Sequence, residues 1–253
     1  MVIMMNIKIA FLLTILAGLS TMIGTFFIFV RTSNKDRVVA GSLAFASGVM
    51  LCVSITDLIP EALSMLDGIG EVVRVLLCFL FVMVGIFLSI GIERVVPDLS
   101  DSGGKSLYKV GIISMIAIVM HNIPEGIATF ISTTKSISLG ASLAFAIALH
   151  NIPEGISISV PIYYATGSRA RAFFYTLVSA LSEPFGALIT YFFLINYIND
   201  FILGLLFSLI AGIMLEISLS ELLPTSFRYN YNRLTKVFFV IGILFMLLKF
   251  LNG

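Results

Sequence analysis

The chain has 253 residues, of which 59% are hydrophobic and only 11% are charged. Soluble domains are about 45–50% apolar, so water is not the main solvent of this protein. The formal net charge of +1 comes from 15 basic and 14 acidic residues, and this balance excludes the strongly basic character of nucleic-acid-binding proteins.

Eight apolar runs, separated by charged residues, glycine or proline, follow one another along the chain. A helix needs roughly 20 apolar residues to cross the hydrocarbon core of a bilayer. The runs therefore predict an all-α integral membrane protein in which residues 1–253 form one transmembrane domain. The first run is longer than the core of a signal peptide, so we predict that it is retained. The predicted helices one to eight are Ile9–Val30, Val38–Ile59, Val75–Ile92, Val110–Ile131, Leu139–Tyr164, Ala172–Ile195, Phe201–Leu223 and Val237–Leu248.

The distribution of basic residues predicts the orientation, because cytoplasmic loops carry an excess of lysine and arginine. Most of the 15 basic residues lie in the connections after helices one, three, five and seven. This places those four connections in the cytoplasm and both termini outside. The residues concerned are Arg31, Lys35, Arg37, Arg94, Lys105, Lys109, Arg169, Arg171, Arg228, Arg233 and Lys236.

Three acidic residues, Glu125, Glu154 and Glu183, lie in the middle of predicted helices four, five and six, with no lysine or arginine at that depth. A charged side chain at the bilayer centre costs about 3 kcal/mol, and such residues are usually functional. Either burial keeps these carboxyl groups protonated or an external cation balances them. One or two divalent cations would nearly balance three carboxylates.

Both histidines of the chain begin the same hexapeptide, His-Asn-Ile-Pro-Glu-Gly. On a helix, the first, second and fifth residues of this motif project from one face. Imidazole nitrogen combined with carboxylate and amide oxygen suits Zn²⁺ and also Fe²⁺, Co²⁺ or Mn²⁺. The spacing therefore predicts one three-ligand group in each helix, namely His121, Asn122 and Glu125, and His150, Asn151 and Glu154.

A proline lies inside each hexapeptide, and a third proline follows Glu183. Because proline removes a backbone hydrogen bond inside a helix, Pro124, Pro153 and Pro184 predict broken helices. At membrane depth, breaks are tolerated where they line protein or a cavity, and in transporters they mark the substrate site. Helices four, five and six are therefore predicted to line one polar pathway.

The chain also contains an internal repeat. The two hexapeptides lie on consecutive helices, which run in opposite directions, and residues 56–60 of helix two resemble residues 220–224 of helix seven. Inverted repeats around a midplane site are typical of secondary transporters. We therefore predict a 3+2+3 organisation, in which helices 1–3 and 6–8 are inverted copies that flank helices four and five.

Two other classes of function compete with metal transport. An intramembrane metal-dependent hydrolase would also use histidine and carboxylate ligands, but the chain has neither His-Glu-x-x-His nor a serine or cysteine nucleophile motif. A proton-coupled carrier of an organic substrate would use the same acids as a relay, but no basic residue lies in the pathway to bind an anion. Cys52 and Cys78 lie in apolar runs, where we expect them to act as packing residues.

These motifs resemble those of the ZIP (Zrt/Irt-like) family of divalent metal transporters, over nearly the whole chain. Besides the two hexapeptides, the resemblance is carried by residues 127–130, by Val160–Tyr163, by Ala165–Ser168, by Leu181–Pro184 and by Ser47–Leu51. The resemblance implies a binuclear metal centre and a route that leads to it. The implied ligands are His121, Asn122, Glu125, His150, Asn151, Glu154 and Glu183, with Met50 lining the path and with Asp57 and Glu221 along the route.

The same resemblance implies a protein that imports Zn²⁺, and also iron, manganese, cobalt or cadmium ions, into the cytoplasm. It implies a multi-pass protein of the cell membrane, here a bacterial inner membrane, that has no enzymatic activity, no catalytic cofactor and no nucleic-acid partner. It further implies a homodimer in the lipid bilayer, and a movement of helices 1, 4, 5 and 6 against the other four.

Overall fold

A computed structural model describes residues 2–29, 34–95, 107–194, 197 and 199–248. The regular structure in these ranges is helical, which confirms the predicted all-α class. The helices follow the order of the eight predicted runs. They are α1 (Val2–Gly24, continued by a 3₁₀ turn over Thr25–Phe29), α2 (Lys35–Met65), α3 (Glu71–Val95), α4 (Leu107–Lys135), α5 (Ile137–Thr166), α6 (Arg169–Leu194), α7 (Asp200–Arg228) and α8 (Asn232–Leu247).

Helix α8 is shorter than the others. Within the described residues, seven helices, α1 to α7, are long and apolar enough to cross a membrane. Helix α8 has 16 residues, and a rise of about 1.5 Å per residue makes it roughly 24 Å long. It begins at Asn232, before the predicted Val237, and packs along α2.

Side-chain caps define where several helices begin. The side-chain oxygens of Asn34, Ser136, Ser168 and Asn199 accept hydrogen bonds from backbone amides at the starts of α2, α5, α6 and α7. Such caps satisfy amides that a helix start leaves without a partner. Gly167 ends α5 with a φ of 66°, a left-handed conformation that glycine adopts without strain. The resulting short links make α4, α5 and α6 antiparallel neighbours.

The prolines of the two hexapeptides do not break their helices, so the expected breaks are corrected. Helices α4 and α5 continue through Pro124 and Pro153, and α6 continues through Pro184. Neighbouring helices and polar side chains in a membrane protein can satisfy the backbone groups that a proline leaves free.

Irregular turns occur elsewhere in the helices. A π-helical segment ends α6 over Thr190–Leu194. Two others lie inside helices and are followed by a proline, Ser54–Leu58 in α2 and Ile217–Leu222 in α7. Such segments interrupt the regular helix and often lie at functional sites. These two contain Asp57 and Glu221, the acids that the resemblance places along the route.

The packing of the helices follows the 3+2+3 pattern. Helix α1 packs along α5 as α6 packs along α4, and α2 packs along α8 as α3 packs along α7. A two-fold axis that exchanges α1–α3 with α6–α8, and α4 with α5, relates these pairs. We call α1, α4, α5 and α6 the site bundle and α2, α3, α7 and α8 the frame bundle.

Glycines let the paired helices touch backbone to backbone, as small residues do in other membrane proteins. A Cβ atom on Gly155 would lie 1.9 Å from the carbonyl oxygen of Thr21, and one on Gly126 would lie 2.0 Å from that of Glu183. The two-fold axis exchanges these two contacts. The frame bundle repeats the arrangement with Gly48 against Phe239 and Gly212 against Val82.

Polar contacts between connections define the two faces of the molecule. The Asn34 amide donates a hydrogen bond to the Tyr231 hydroxyl, which joins the connection after α1 to the connection after α7. Lys135 lies 3.1 Å from Asp200, which joins the link after α4 to the start of α7. The basic connections therefore share one face, which we call the basic face. Residues 96–106 of the long connection predicted between Glu93 and Lys109 lie outside the described residues, as do Arg31 and Lys249.

Candidate metal centre

Three helices of the site bundle carry the predicted ligands. Helix α4 presents His121, Asn122 and Glu125, α5 presents the equivalent residues of the second hexapeptide, and α6 presents Glu183. All of these side chains are buried. The site thus lies inside the molecule, where water does not screen the carboxylates.

The two hexapeptides bond to each other and not within themselves. His121 Nε2 lies 2.9 Å from Glu154 Oε1, and His150 Nε2 lies 3.3 Å from Glu125 Oε1. Two crossed His–Glu pairs therefore join the two predicted ligand groups, and the binding of a metal ion by either group stays a prediction. The pairs are crossed because the antiparallel contact of α4 and α5 brings the first residue of one motif opposite the fifth residue of the other.

The asparagines connect the two motif helices to their neighbours. Asn151 Nδ2 donates to the carbonyl oxygen of Ala17 in α1 at 2.9 Å, and Asn122 Nδ2 donates to that of Ser179 in α6 at 3.4 Å. These bonds are also exchanged by the two-fold axis. Because the amide nitrogens are used in this way, the amide oxygens remain as acceptors.

Glu183 breaks the two-fold symmetry of the site, because the equivalent position in α1 does not carry a carboxylate. Its Oε2 accepts a hydrogen bond of 3.0 Å from Asn151 Nδ2, so the carboxyl group of α6 joins the cluster. The glycine contacts place Thr21 of α1 at the equivalent position. Thr21 is buried, and its hydroxyl has no hydrogen-bond partner. Thr21 is not among the residues predicted from the sequence, although an alignment of α1 with α6 pairs it with Glu183.

The donor set fits a cation. Each of these residues keeps one buried atom that has no hydrogen-bond partner in the described structure. Leaving such a group unsatisfied costs about 1–3 kcal/mol, and a bound cation would satisfy several of them together. The atoms are His121 Nδ1, Asn122 Oδ1, Glu125 Oε2, His150 Nδ1, Asn151 Oδ1, Glu154 Oε2 and Glu183 Oε1.

The ligands are not gathered around one point. Among the residues that the structure describes, no three histidine, cysteine, aspartate or glutamate side chains form a group that could hold a metal ion. Each imidazole instead shares one nitrogen with a carboxylate of the opposite helix. Nδ1 of each imidazole and the second oxygen of each carboxylate remain without a partner.

A cavity of about 800 Å³ leads to the cluster from the face opposite the basic face. We call this cavity the vestibule. Asp57, Glu61 and Asp67 line its outer part with Asp200, whose charge is paired with that of Lys135, and His150 and Glu125 line it at depth. Because carboxylates attract cations, the vestibule is suited to admit them.

Met50 does not line the vestibule. It is fully buried in an apolar core that includes Val53 and Met214 of the frame bundle and residues of α4 and α5. The match between α2 and α7 is longer than the predicted one. It extends over residues 48–60 and 212–224, and it makes Met50 equivalent to Met214. The assignment of Met50 to the path stays a prediction.

Two further groups at membrane depth have structural partners. Ser89 Oγ donates a hydrogen bond of 2.6 Å to Oε2 of Glu216, which joins α3 to α7 away from the hexapeptides. Cys52 and Cys78 are buried on α2 and α3, and neither forms a disulfide within the described residues. These positions fit the packing role expected for the cysteines.

The helices are long enough to cross a membrane, and they surround a buried cluster of imidazole, amide and carboxylate groups. An acid-lined vestibule leads to this cluster. This arrangement is that of a membrane transport protein. A family model described as ZIP zinc transporter matches residues 3–109 and 100–249. The chain belongs to the ZIP family.

Individual relatives agree with this family over nearly the whole chain. The zinc transporter ZupT of Clostridium perfringens is 39% identical, over 98% of this chain and 97% of its own. The proteins of the same name from Chlorobium chlorochromatii and Streptococcus mutans are each 40% identical, over 89% and 96% of this chain and 90% and 96% of their own. The chain is thus a multi-pass protein of the cell membrane and a transporter, not an enzyme, which answers the question left open between a carrier and a hydrolase.

Proposed function

We propose that this protein imports Zn²⁺ through the cluster formed by α4, α5 and α6, with Fe²⁺, Mn²⁺, Co²⁺ and Cd²⁺ as further substrates. One observation carries the proposal: every residue of the cluster keeps a buried polar atom without a partner at the end of an acid-lined vestibule. Mixed nitrogen and oxygen ligands accept several borderline divalent ions, so availability would decide which ion is carried.

Binding would exchange one set of contacts for another. The crossed pairs, His121 with Glu154 and His150 with Glu125, satisfy part of the cluster without an ion. An arriving cation would take the place of these hydrogen bonds and use the carboxylate oxygens that have no partner. One or two ions, as in the binuclear centre implied by the resemblance, would balance the three carboxylates.

Release would require the opposite route to open. The vestibule reaches the cluster from the face that we predict to be extracellular, while Glu221 is fully buried on the other side. The glycine contacts lie within the site bundle and within the frame bundle. We propose that the site bundle moves against the frame bundle as a unit, as the family resemblance implies.

Uptake of Zn²⁺ into proteoliposomes that contain the purified protein tests this function. We expect saturable uptake by the wild type, and loss of uptake in Glu183→Gln, which keeps the shape of the side chain. Glu71→Gln, which removes an exposed carboxylate at the start of α3, is the matched control. Competition by Fe²⁺, Mn²⁺, Co²⁺ and Cd²⁺ would rank the substrates. Exclusion of Zn²⁺ together with transport of Mg²⁺ or Ca²⁺ would overturn the proposal.

The homodimer implied by the resemblance is a separate part of the proposal. Helix α3 presents the most exposed apolar surface of the long helices, since only 17% of its most hydrophobic window is buried. Cross-linking of a cysteine introduced at Phe79, which is 64% exposed, in the Cys52→Ala/Cys78→Ala background tests for a dimer at this face. A product that stays monomeric would argue against a dimer through α3.

A further inference from the structure

A groove separate from the vestibule opens on the lipid-facing side near the basic face. It has a volume of about 600 Å³ and lies where α1 and α5 of the site bundle meet α2 and α8 of the frame bundle. This volume is within the usual range of about 300–1,000 Å³ for ligand pockets. The walls are almost entirely apolar, with Phe45 on α2 and Phe238 and Ile241 on α8.

The mouth of the groove is basic. A second cavity, of about 500 Å³, adjoins the groove and shares Arg37, Leu234 and Phe238 with it. Arg233 also lines this second cavity, next to Asn230 and Asn232. No carboxylate among the described residues lines either cavity, and neither arginine forms an ion pair with a described residue. The nearby Asp36 acts electrostatically on Tyr229, where it adds to the effect of burial and raises the pKa of that phenol.

The basic and apolar residues follow one another along the helices in the order in which a phospholipid carries its charged headgroup and its acyl chains. Arg37 and Arg233 lie in the first turns of α2 and α8, which both begin at the basic face. Phe45 lies about two turns deeper along α2, and Ile241 about two turns deeper along α8. A charged group is thus offered at the membrane surface, and an apolar channel continues below it towards the bilayer centre.

We propose that the groove binds an anionic phospholipid, with its phosphate between Arg37 and Arg233 and one acyl chain between the two bundles. Charge complementarity selects an anionic lipid, because basic pockets between transmembrane helices on the cytoplasmic side hold anionic headgroups. The arginine fork matches phosphate geometry. The chain would contact Ile156, which lies two residues after Glu154, so the lipid occupies the seam that must slide if the bundles move.

Fluorescence quenching tests this site, because the chain contains no tryptophan. A single Phe238→Trp substitution places a reporter in the wall shared by the two cavities. The protein is reconstituted in phosphatidylcholine vesicles that contain either brominated phosphatidylglycerol or brominated phosphatidylcholine. We expect the anionic lipid to be preferred by roughly 25-fold, since each arginine near an anionic headgroup contributes about fivefold.

The control variants separate a built site from general attraction to the basic face. Arg37→Gln/Arg233→Gln should abolish the preference, while Arg94→Gln/Arg171→Gln, which removes two exposed charges elsewhere on that face, should preserve it. Ile241→Trp provides a second reporter if Phe238→Trp does not fold. Equal quenching by the two lipids, or a preference that survives in Arg37→Gln/Arg233→Gln, would overturn the proposal.

Displacement of the lipid by inorganic phosphate would also overturn it, because the occupant would then be a free anion. The test measures lipid binding alone and does not depend on which ion is transported.

Discussion

Asp57 and Glu221 occupy equivalent positions in the inverted repeat, three residues before Pro60 and Pro224, but Asp57 lines the open vestibule whereas Glu221 is fully buried. The two-fold axis would exchange their environments. On the proposed function, the structure has one of two equivalent routes open, which is the arrangement that alternating access requires.

The two acids should affect different steps of transport. Asp57→Asn should raise the KM for Zn²⁺ about fivefold, with little change in the maximal rate. Two unit charges 4 Å apart in water attract each other by about 1 kcal/mol, and the loss of this free energy corresponds to a fivefold weaker affinity. Glu221→Gln should lower the maximal rate, because it acts on the closed route. Initial uptake rates over a range of Zn²⁺ concentrations measure both. Identical effects of the two substitutions would contradict the assignment of separate routes.

The crossed pairs predict that a charge-removing substitution at the centre leaves the fold intact. Glu154→Gln keeps a side chain that can accept a hydrogen bond from His121 but removes one carboxylate. Uptake should fall by more than about 100-fold, because mutating even a residue that only orients a metal ligand costs about 10–100-fold. Elution on size exclusion and thermal unfolding in detergent should match those of the wild type. Uptake at the wild-type rate by the folded variant would remove Glu154 from the site.

The backbone contact between α1 and α5 predicts a steric effect at Gly155. A Cβ there would lie 1.9 Å from the Thr21 carbonyl oxygen, so Gly155→Ala should force the helices apart and destabilise the protein by about 1–3 kcal/mol. Gly91→Ala is the matched control, since a Cβ at Gly91 meets nothing within 4 Å, and alanine favours a helix by about 1 kcal/mol. Thermal unfolding in detergent should show a lower Tm for the first variant only. Equal Tm values would show that the contact is not tight.

The bond between α3 and α7 predicts a purely structural role for Glu216. Ser89→Ala leaves the buried Glu216 carboxyl without its donor and should cost about 1–3 kcal/mol of stability. Glu216→Gln retains an acceptor for Ser89 and should support uptake close to that of the wild type. Loss of uptake by a stable Glu216→Gln protein would place Glu216 in the transport path.

The positions of the two cysteines predict that removing their thiols leaves transport unchanged. Cys52 and Cys78 lie on α2 and α3 as buried thiols, and neither is among the cluster residues. Changing both to alanine should therefore leave zinc uptake within about twofold of the wild type, since small buried thiols act as apolar side chains. Abolished uptake by a folded double variant would assign the thiols a role in transport.

Much of the fold follows from local properties of the sequence. Hydropathy and length predict the helices because a bilayer requires long apolar runs, and the caps at Asn34, Ser136, Ser168 and Asn199 are visible as residue types. The start of α8 was predicted too late, because its first turn contains Arg233 and Lys236 and lies outside the apolar run. The breaks expected at Pro124, Pro153 and Pro184 were wrong, because the helices continue through all three, and the packing of a membrane protein can compensate for a missing backbone bond.

The sequence by itself determined the membrane class, the inverted repeat and which residues form the cluster, because charges at membrane depth stand out against apolar surroundings. Only the tertiary structure decided that His121 is bonded to Glu154, that Thr21 occupies the position equivalent to Glu183, and that the vestibule reaches Asp57. These features depend on the register in which antiparallel helices meet. Register is set by backbone contacts such as that of Gly155 with Thr21, between residues far apart in the chain, and no local pattern contains it.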